Sequence, residues 1–447
     1  ADDGVLATEH DDPYDCKACP ASSHSASGSH QCTLCVAGTY LATNGIVASD
    51  CKVCGYGEWS RSGAIFCEHC ESGKYLNKDD TNAGDHNAES KCIVCSKGMY
   101  SDIRSGVCKS CLAGYYIDDD GVDAEKHKTI ASCNICGLGK YSDVGAQTCS
   151  SCVAGKYLED DRLNATLHMH ESSCKICEYG TYSSVPASRV CTKCDAGLYL
   201  EDDKADHTKH DSAADCDVCA SGKYSNPGSQ VCVNCALGFY ILDDGSNKLE
   251  HAGKQSCKVC PKGKHTSGTT GTTACTSCPK GTYLADDGVE GINHFDVSNC
   301  LVCSAGQIAT SEASSACSDC PAGRSLIDNQ LDKSKHDEDS DCAICSSGKW
   351  AYAGAEVCVT CNAGTYLEDN SNDASKHVAP SSCTVCAKGK HSGVGATLCI
   401  SCVPGKYLAD DGVLATEHDD PYDCKACPAS SHSASGSHQC TLCVAGT

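Results

Sequence analysis

Large side chains are scarce in this sequence. Its 447 residues include three Phe, two Trp and two Met, and much of its apolar content is Ala and Cys. A unit of about 40 residues that cannot bury enough apolar surface normally needs disulfides or a metal. The scarcity therefore excludes one large shared core and predicts small modules that are held together covalently.

Motifs of known chemistry are missing as well. No Cys-x-x-Cys pair is followed by His, which excludes covalent haem attachment. The sequence lacks a nucleophile elbow, a phosphate-binding loop and a His-Glu-x-x-His motif, and a thioredoxin-like site would be a single reactive pair. We predict that the chain is not an enzyme and has no catalytic residue and no cofactor.

Basic residues are fewer than acidic ones in this sequence. The chain has 35 Lys and Arg against 59 Asp and Glu, a net charge of -24. Nucleic-acid binding depends on clustered Lys and Arg, so nucleic acid is excluded as a partner. No apolar run reaches the length of a membrane span. The composition instead favours a self-repelling, hydrated surface.

Cysteine is abundant and regular. All 44 cysteines fall in 22 Cys-x-x-Cys pairs, from Cys16/Cys19 to Cys440/Cys443. Disulfide frameworks of this density persist in oxidising compartments, so we predict a secreted or cell-surface protein. The spacing is also that of four-cysteine zinc sites, and CKVCG from Cys51 resembles a zinc knuckle. A zinc-binding array of four-cysteine sites stays as an alternative, although such arrays usually carry more basic residues.

The pairs define a tandem repeat. The first cysteines of successive pairs are alternately 16 to 18 and 25 residues apart, which gives modules of 41 to 43 residues; the exception is the shortened unit of 35 residues from Cys16 to Cys51. We expect a partial module plus a shortened one in 1–50 and a partial one in 424–447. The full modules are 51–91, 92–132, 133–173, 174–215, 216–256, 257–299, 300–341, 342–382 and 383–423.

The sequence also repeats over a longer period than one module. Residues 1–39 recur unchanged as residues 409–447, whereas neighbouring modules share the cysteine frame but differ at most other positions. The offset of 408 residues equals ten modules, and both ends of the sequence fall inside a module. We therefore expect a window from a much longer periodic chain, with a locally duplicated segment as the alternative. Either way, each module should contact mainly its neighbours.

Each module has a short and a long segment. The short one continues Cys-x-x-Cys with x-x-Gly-x-aromatic, where Gly98 suits positive φ and Tyr100 can cover a disulfide. The long one contains Gly-x-Tyr-Leu, an acidic pair and a His sixteen residues after the second cysteine. These histidines are His86, His127, His168, His210, His251, His294, His336, His377 and His418.

The acidic pair and the His disappear together in the shortened segment Cys35 to Cys51, so they should belong to one local structure. We favour an Asp-to-imidazole hydrogen bond that closes the long loop. The alternative is a pH-sensitive or Ca²⁺- or Zn²⁺-bridged contact between modules. The candidate residues are His127, His168, His210, His251, Asp160, Asp161, Asp202 and Asp203.

One glycosylation acceptor is present. Asn164 begins the sequence Asn-Ala-Thr on a long loop, where a glycan would be exposed. Glycans are thus expected partners of the chain.

The motif CxxCxxGxYxxxxGxxxCxxC, as in the segment from Cys95 to Cys111, resembles the ephrin-receptor-like cysteine-rich modules. More distantly it is similar to tumour-necrosis-factor-receptor-like and EGF-like repeats. The resemblance implies a small disulfide-rich fold of short β-hairpins and irregular loops, stacked as a linear rod. Ser22 and Ser430 replace the expected Gly and Ser325 the expected Tyr, so different turns are expected there.

The resemblance also implies a disulfide pairing of first with third and second with fourth cysteine in each short segment. Cys51 would then bond to Cys67 and Cys54 to Cys70. The same pattern would pair Cys133 with Cys149 and Cys136 with Cys152. A ladder that links Cys54 to Cys67 and Cys70 to Cys92 is the competing scheme.

These features predict a structural protein of an extracellular filament, appendage or coat. Its partners would be copies of itself, meeting laterally through the long acidic loops. The stalk of an extracellular receptor or adhesin is the alternative.

Overall fold

The structure is a computed structural model that describes residues 16–159, 163–202, 204–328, 330–369 and 371–444. These residues form two compact units. One comprises the chain up to Asp195 with Tyr199–Asp217 and Pro227–Val231, and the other Ala196–Leu198, Val218–Asn226 and the chain from Cys232. Short and long hairpins alternate in both. No helix in the described ranges is long and apolar enough to cross a membrane.

Each short segment forms a two-stranded antiparallel hairpin. Its second strand is the dipeptide between the two cysteines of a pair, so the motif itself is the strand. The short hairpins are Ser23–His24 with Thr33–Leu34, Glu58–Trp59 with Glu68–His69, Met99–Tyr100 with Lys109–Ser110, Lys140–Tyr141 with Ser150–Ser151, Thr181–Tyr182 with Thr192–Lys193, Lys223–Tyr224 with Val233–Asn234, Lys264–His265 with Thr276–Ser277, Gln307–Ile308 with Ser318–Asp319, Lys349–Trp350 with Val359–Thr360, Lys390–His391 with Ile400–Ser401, and Ser431–His432 with Thr441–Leu442.

The long segments form hairpins of the same kind with a larger loop. They are Thr39–Tyr40 with Lys52–Val53, Lys74–Tyr75 with Ile93–Val94, Tyr115–Tyr116 with Asn134–Ile135, Lys156–Tyr157 with Lys175–Ile176, Leu198–Tyr199 with Asp217–Val218, Phe239–Tyr240 with Lys258–Val259, Thr282–Tyr283 with Leu301–Val302, Arg324–Ser325 with Ala343–Ile344, Thr365–Tyr366 with Thr384–Val385, and Lys406–Tyr407 with Lys425–Ala426.

Short 3₁₀ turns order the long loops, and the described residues contain no α-helix. Side chains such as Asp123 and Asn82 accept hydrogen bonds from the first turn and so cap it. The turns are Ala48–Asp50, Ala83–Asp85, Glu89–Lys91, Ala124–His127, Ile130–Ser132, Ala165–His168, Glu171–Ser173, His207–Lys209, Ala213–Asp215, Lys248–His251, Lys254–Ser256, Gly291–Asn293, Val297–Asn299, Lys333–Lys335, Asp339–Asp341, Ala374–His377, Pro380–Ser382, Ala415–Glu417 and Pro421–Asp423.

The cysteines form a continuous ladder of 21 disulfides, with Cα–Cα distances of 5.6 to 5.9 Å. The first cysteine of each pair bonds backwards across the hairpin that it closes, and the second bonds forwards across the next hairpin. Among the described cysteines, only Cys16 and Cys443 are free. The predicted fold of tandem disulfide-stapled hairpins is confirmed.

The pairing implied by the resemblance is wrong. Cys54 bonds to Cys67 and Cys70 to Cys92, while Cys51 bonds to Cys35. The same ladder runs through the other predicted set, because its bonds are Cys111–Cys133, Cys136–Cys149 and Cys152–Cys174. The reason is geometric. A cysteine at the start of a hairpin's second strand lies beside the cysteine that precedes its first strand.

Each long-hairpin disulfide has a small apolar cover. Ile117 packs on Cys111 and Cys133, and the half-buried Tyr100 and Tyr115 lie against the same cluster. The aliphatic residue of Gly-x-Tyr-Leu is buried in every long hairpin described. Tyrosine does contact the disulfide, as expected, but the buried aliphatic side chain completes each core.

The expected irregular turns do not occur. Ser22 and Ser430 keep the positive φ of the glycine they replace, at 71° and 68°. Ser325 still pairs with Ala343 in an ordinary hairpin. Backbone contacts in each module therefore impose the turn even where an L residue carries a steric cost of about 1–2 kcal/mol.

Candidate functional site

The junction between modules is built from backbone hydrogen bonds. In the contact between modules 51–91 and 92–132, Gly73 N–H donates to the Ser101 carbonyl oxygen and Leu76 N–H to that of Ser105, over 2.9 and 3.1 Å. Gly114 and Gly155 repeat the first bond with Ser142 and Ser183. We call this contact the module joint.

A buried hydroxyl adds a second link. Ser101 is fully buried, and its hydroxyl donates to the carbonyl oxygen of Lys74 in the preceding module over 2.9 Å. Ala309 and Ala351 hold the equivalent position in two later modules, yet their carbonyls still accept the glycine N–H, over 2.8 Å. The backbone bond thus persists without the serine hydroxyl, whereas in one joint the N–H of Gly238 donates to the Thr266 hydroxyl instead, over 2.9 Å.

Glycine is favoured at the joint for two reasons, although Ser22 and Ser430 hold the position of Gly57 in two modules. Gly73 has a φ of +87°, and a Cβ on it would overlap the carbonyl group of Ala124 in the next module. Gly57 has a φ of +68°, and a Cβ there would overlap the backbone of Arg104. Successive modules therefore touch backbone to backbone, which no other residue type allows without a shift.

A buried histidine holds the long loop against the short hairpin of its own module. The nine histidines of the long segments are all 0% exposed. In each, Nδ1 lies 2.5–2.8 Å from the carbonyl oxygen of the first short-hairpin strand. For His127 this acceptor is Met99, and the His127 carbonyl oxygen accepts in turn from Ser101 N–H. The histidine thus reaches the joint.

The other ring nitrogen faces an aspartate eight residues earlier. His127 Nε2 lies 2.9 Å from Asp119 Oδ2. Contacts of the same kind, 2.6–2.9 Å long, join the pairs His210–Asp202, His251–Asp243, His294–Asp286, His336–Asp328, His377–Asp369 and His418–Asp410. The favoured interpretation of an Asp-to-imidazole bond closing the loop is confirmed in these modules.

The backbone partner defines the role of one ring nitrogen. A backbone carbonyl can only accept, so Nδ1 of His127 donates to Met99. Hydrogen bonds from His127, then from Lys126 and Gly121, hold the pKa of Asp119 well below its usual range. His251 likewise lowers the pKa of Asp243. The loop is therefore closed by a hydrogen bond between an imidazole and a carboxyl group that are both removed from water.

These contacts lie inside a single module. Met99, Asp119 and His127 all belong to module 92–132, so the described bonds join two parts of one module and not successive modules. Asp160, Asp161 and Asp203 fall outside the described residues. The pH sensitivity of these contacts stays a prediction.

Sequence reasoning missed some of the aspartates. It singled out acidic pairs, whereas the structure uses Asp119, Asp328 and Asp369 in the same role as Asp202. The sequence does identify these aspartates by their spacing. In eight of the nine long segments, an Asp lies eight residues before the His.

Module 51–91 is the exception. Lys78 stands eight residues before His86, and His86 Nε2 lies 3.0 Å from the backbone carbonyl oxygen of Asp79 instead. Both nitrogens of His86 therefore face carbonyl oxygens. This loop is closed without a carboxylate, and it provides a natural comparison.

The cysteine sulfurs are bonded to one another in the described chain, apart from the two free residues, and thus do not form the thiolate sets that a zinc array requires. No group of three or more His, Cys, Asp and Glu in the described residues could hold a metal ion.

Asn164 lies exposed at the start of a long loop. Its Oδ1 accepts from Thr166 N–H over 3.0 Å and from the Thr166 hydroxyl over 2.6 Å. This is the capping arrangement that Asp206 makes with Thr208 in the next module. Asn164 therefore has a structural role, because its side chain caps the first turn of the long loop.

Comparison with known proteins gives no family for the chain. No protein-family model matches it, and no curated protein matches its sequence.

Proposed function

We propose that this chain is a structural protein of an extracellular filament, appendage or cell-surface coat. The observation that supports the proposal most directly is the uninterrupted disulfide ladder from Cys19 to Cys440. Every described hairpin is closed by its own covalent bond, so the array needs no large core. Such a scaffold suits a load-bearing element that must persist outside the cell.

The repeated joint supports a polymeric role. The same glycine-to-carbonyl bond occurs in nine of the ten described joints, so the arrangement can be extended without a specialised end surface. The recurrence of residues 1–39 as 409–447 extends this regularity to a period of ten modules.

The proposal includes no catalysis and no bound cofactor. The most buried titratable residues, the histidine and aspartate pairs, are used to close loops. We further propose an N-linked glycan on Asn164, whose exposed amide would carry it once in each period.

Electron microscopy of the native material tests this function. The expected images show continuous fibres in which the ten-module period recurs. Isolated short stalks, each bearing a terminal head, would overturn the filament proposal in favour of a receptor or adhesin stalk. Mass spectrometry of the peptide that contains Asn164 tests for the glycan.

A further inference from the structure

The shortened module differs from all others in charge. Residues 18–49 contain no Asp, Glu, Lys or Arg, which makes this the longest such run in a chain of net charge -24. The loss of the long loop removes its carboxylates as well. The adjoining short segment, 51–70, has two basic and two acidic residues. With Asp50 between these two segments, residues 18–70 carry a net charge of only -1 within a chain of net charge -24.

The same region exposes an apolar side chain where other modules are polar. Leu34 is the last residue of its short hairpin and is 54% exposed. The residues at this position in the other full short hairpins are His69, Ser110, Ser151, Lys193, Asn234, Ser277, Asp319, Thr360 and Ser401. Leucine recurs only at Leu442, within the duplicated segment. The replacement of a polar residue by leucine at this position therefore occurs at one place in the 408-residue period.

A second exchange lies beside the first. Ile65 is 48% exposed. The residues at the equivalent position of the other short hairpins are polar or glycine, namely Gly106, Gln147, Arg189, Gln230, Thr273, Ser315, Glu356, Thr397 and His438. Phe66 follows Ile65 and is 64% exposed. The Leu34 side chain lies over Gly63 of the same loop, and Gly63 N–H donates to the Cys35 carbonyl oxygen. We call Leu34, Ile65 and Phe66 the neutral patch.

We propose that the neutral patch is the lateral contact between two copies of this chain, each using the same surface. The charge of the chain indicates why the partner at this patch is a second copy. Two copies of net charge -24 repel wherever their acidic loops approach within the screening distance of about 8 Å at physiological salt. At this weakly charged region copies can meet while facing few carboxylates, and there apolar surface is removed from water.

This inference rests on the proposed filament. One patch of three side chains is far smaller than the roughly 1,000 Å² that a stable interface buries, so a single contact is weak. Along a filament the patch recurs every 408 residues, and many weak contacts then add up. Lateral contact would thus use the shortened module in place of the acidic loops suggested by the sequence.

Sedimentation velocity of the 447-residue chain, over a range of protein and NaCl concentrations, tests the patch separately from filament formation. The patch variant carries L34S and I65Q, which are the residue types found at Ser110 and Gln147. The matched control carries V144Q and L398S, which remove two exposed apolar side chains from acidic modules. A disulfide map of each variant verifies its fold.

We expect weak self-association of the native chain that strengthens with NaCl, because salt screens the repulsion. The patch variant should weaken it at least about tenfold, and the control should leave it unchanged. Native-like association of the patch variant, or association that weakens with salt or requires Ca²⁺, would overturn the inference. Absence of fibres in native material would instead overturn the filament proposal, whatever the soluble chain does.

Discussion

His127 Nε2 and Asp119 Oδ2 lie 2.9 Å apart, in a loop where the imidazole is fully buried and the carboxylate almost so. The same ring donates through Nδ1 to Met99, and the backbone carbonyl of His127 accepts from Ser101 at the module joint. One residue thus couples the acidic loop, the short hairpin and the neighbouring module.

Replacement of this histidine should open its loop. We expect H127Q to destabilise the long loop of module 92–132 by about 3 kcal/mol, because removing the imidazole leaves the buried carboxyl group of Asp119 without its hydrogen-bond partner. Hydrogen exchange of the Ser101 and His127 amides, with all disulfides intact, measures the change. The exposed His30 provides the control in H30Q. Equal protection of Ser101 in H127Q and H30Q would refute the proposed role of the histidine–aspartate contact.

Acid should weaken most long loops. The pKa values of Asp119, Asp243 and Asp286 lie below the usual value of about 3.9 that applies in the unfolded chain. The stability that they contribute is therefore complete above about pH 4 and is lost as the pH falls towards the depressed values. Hydrogen exchange between about pH 5 and pH 2, corrected for intrinsic rates, should show this loss.

Module 51–91 is the internal control for the acid experiment. His86 faces the backbone carbonyl of Asp79 and not a carboxylate, so protonation of Asp79 leaves that bond in place. Ser60 N–H donates to the His86 carbonyl oxygen, as Ser101 N–H does to that of His127. Protection of the Ser60 amide should then persist to lower pH than that of Ser101. Simultaneous loss of both would show that the aspartate contacts do not control acid stability.

The joint should tolerate no side chain at Gly73. We expect G73A to cost about 3 kcal/mol, since alanine would adopt a positive φ and its Cβ would collide with Ala124. Gly137 has open space around it and no positive φ, so G137A should change stability by less than about 0.5 kcal/mol. Denaturant unfolding of the oxidised proteins provides the comparison. An effect of equal size in both variants would argue against the backbone contact.

The disulfide ladder predicts specific cross-linked peptides. A protease that cleaves after Glu68 cuts the strand between Cys67 and Cys70 and separates two rungs. Non-reducing mass spectrometry should then find Cys54 joined to Cys67, and Cys70 joined to Cys92. Thiol labelling of the denatured chain should detect only Cys16 and Cys443. Peptides that join Cys51 to Cys67, or extensive labelling with stoichiometric zinc, would contradict the ladder.

Sequence patterns predicted the hairpins and the loop closure because both are local. The dipeptide inside each cysteine pair and the fixed distance to His127 are visible in one dimension. Connectivity was not predictable, because Cys67 has similar sequence distances to Cys51 and Cys54, and only the hairpin register selects between them. The role of Ser101 was also hidden, since its partners Lys74 and Gly73 become neighbours only when modules stack.

The ladder has a mechanical consequence. Load applied along the chain can pass through each disulfide and the two-residue strand that follows it, bypassing the loop between. Three extended residue steps of about 3.5 Å each and one bridge of 5.6 Å give a path of roughly 16 Å per rung, against about 77 Å for the 22 residues bridged from Cys70 to Cys92. Even with every hydrogen bond broken, the oxidised chain would extend very little under load. Only a reductant would allow the residues enclosed by the disulfides to lengthen it.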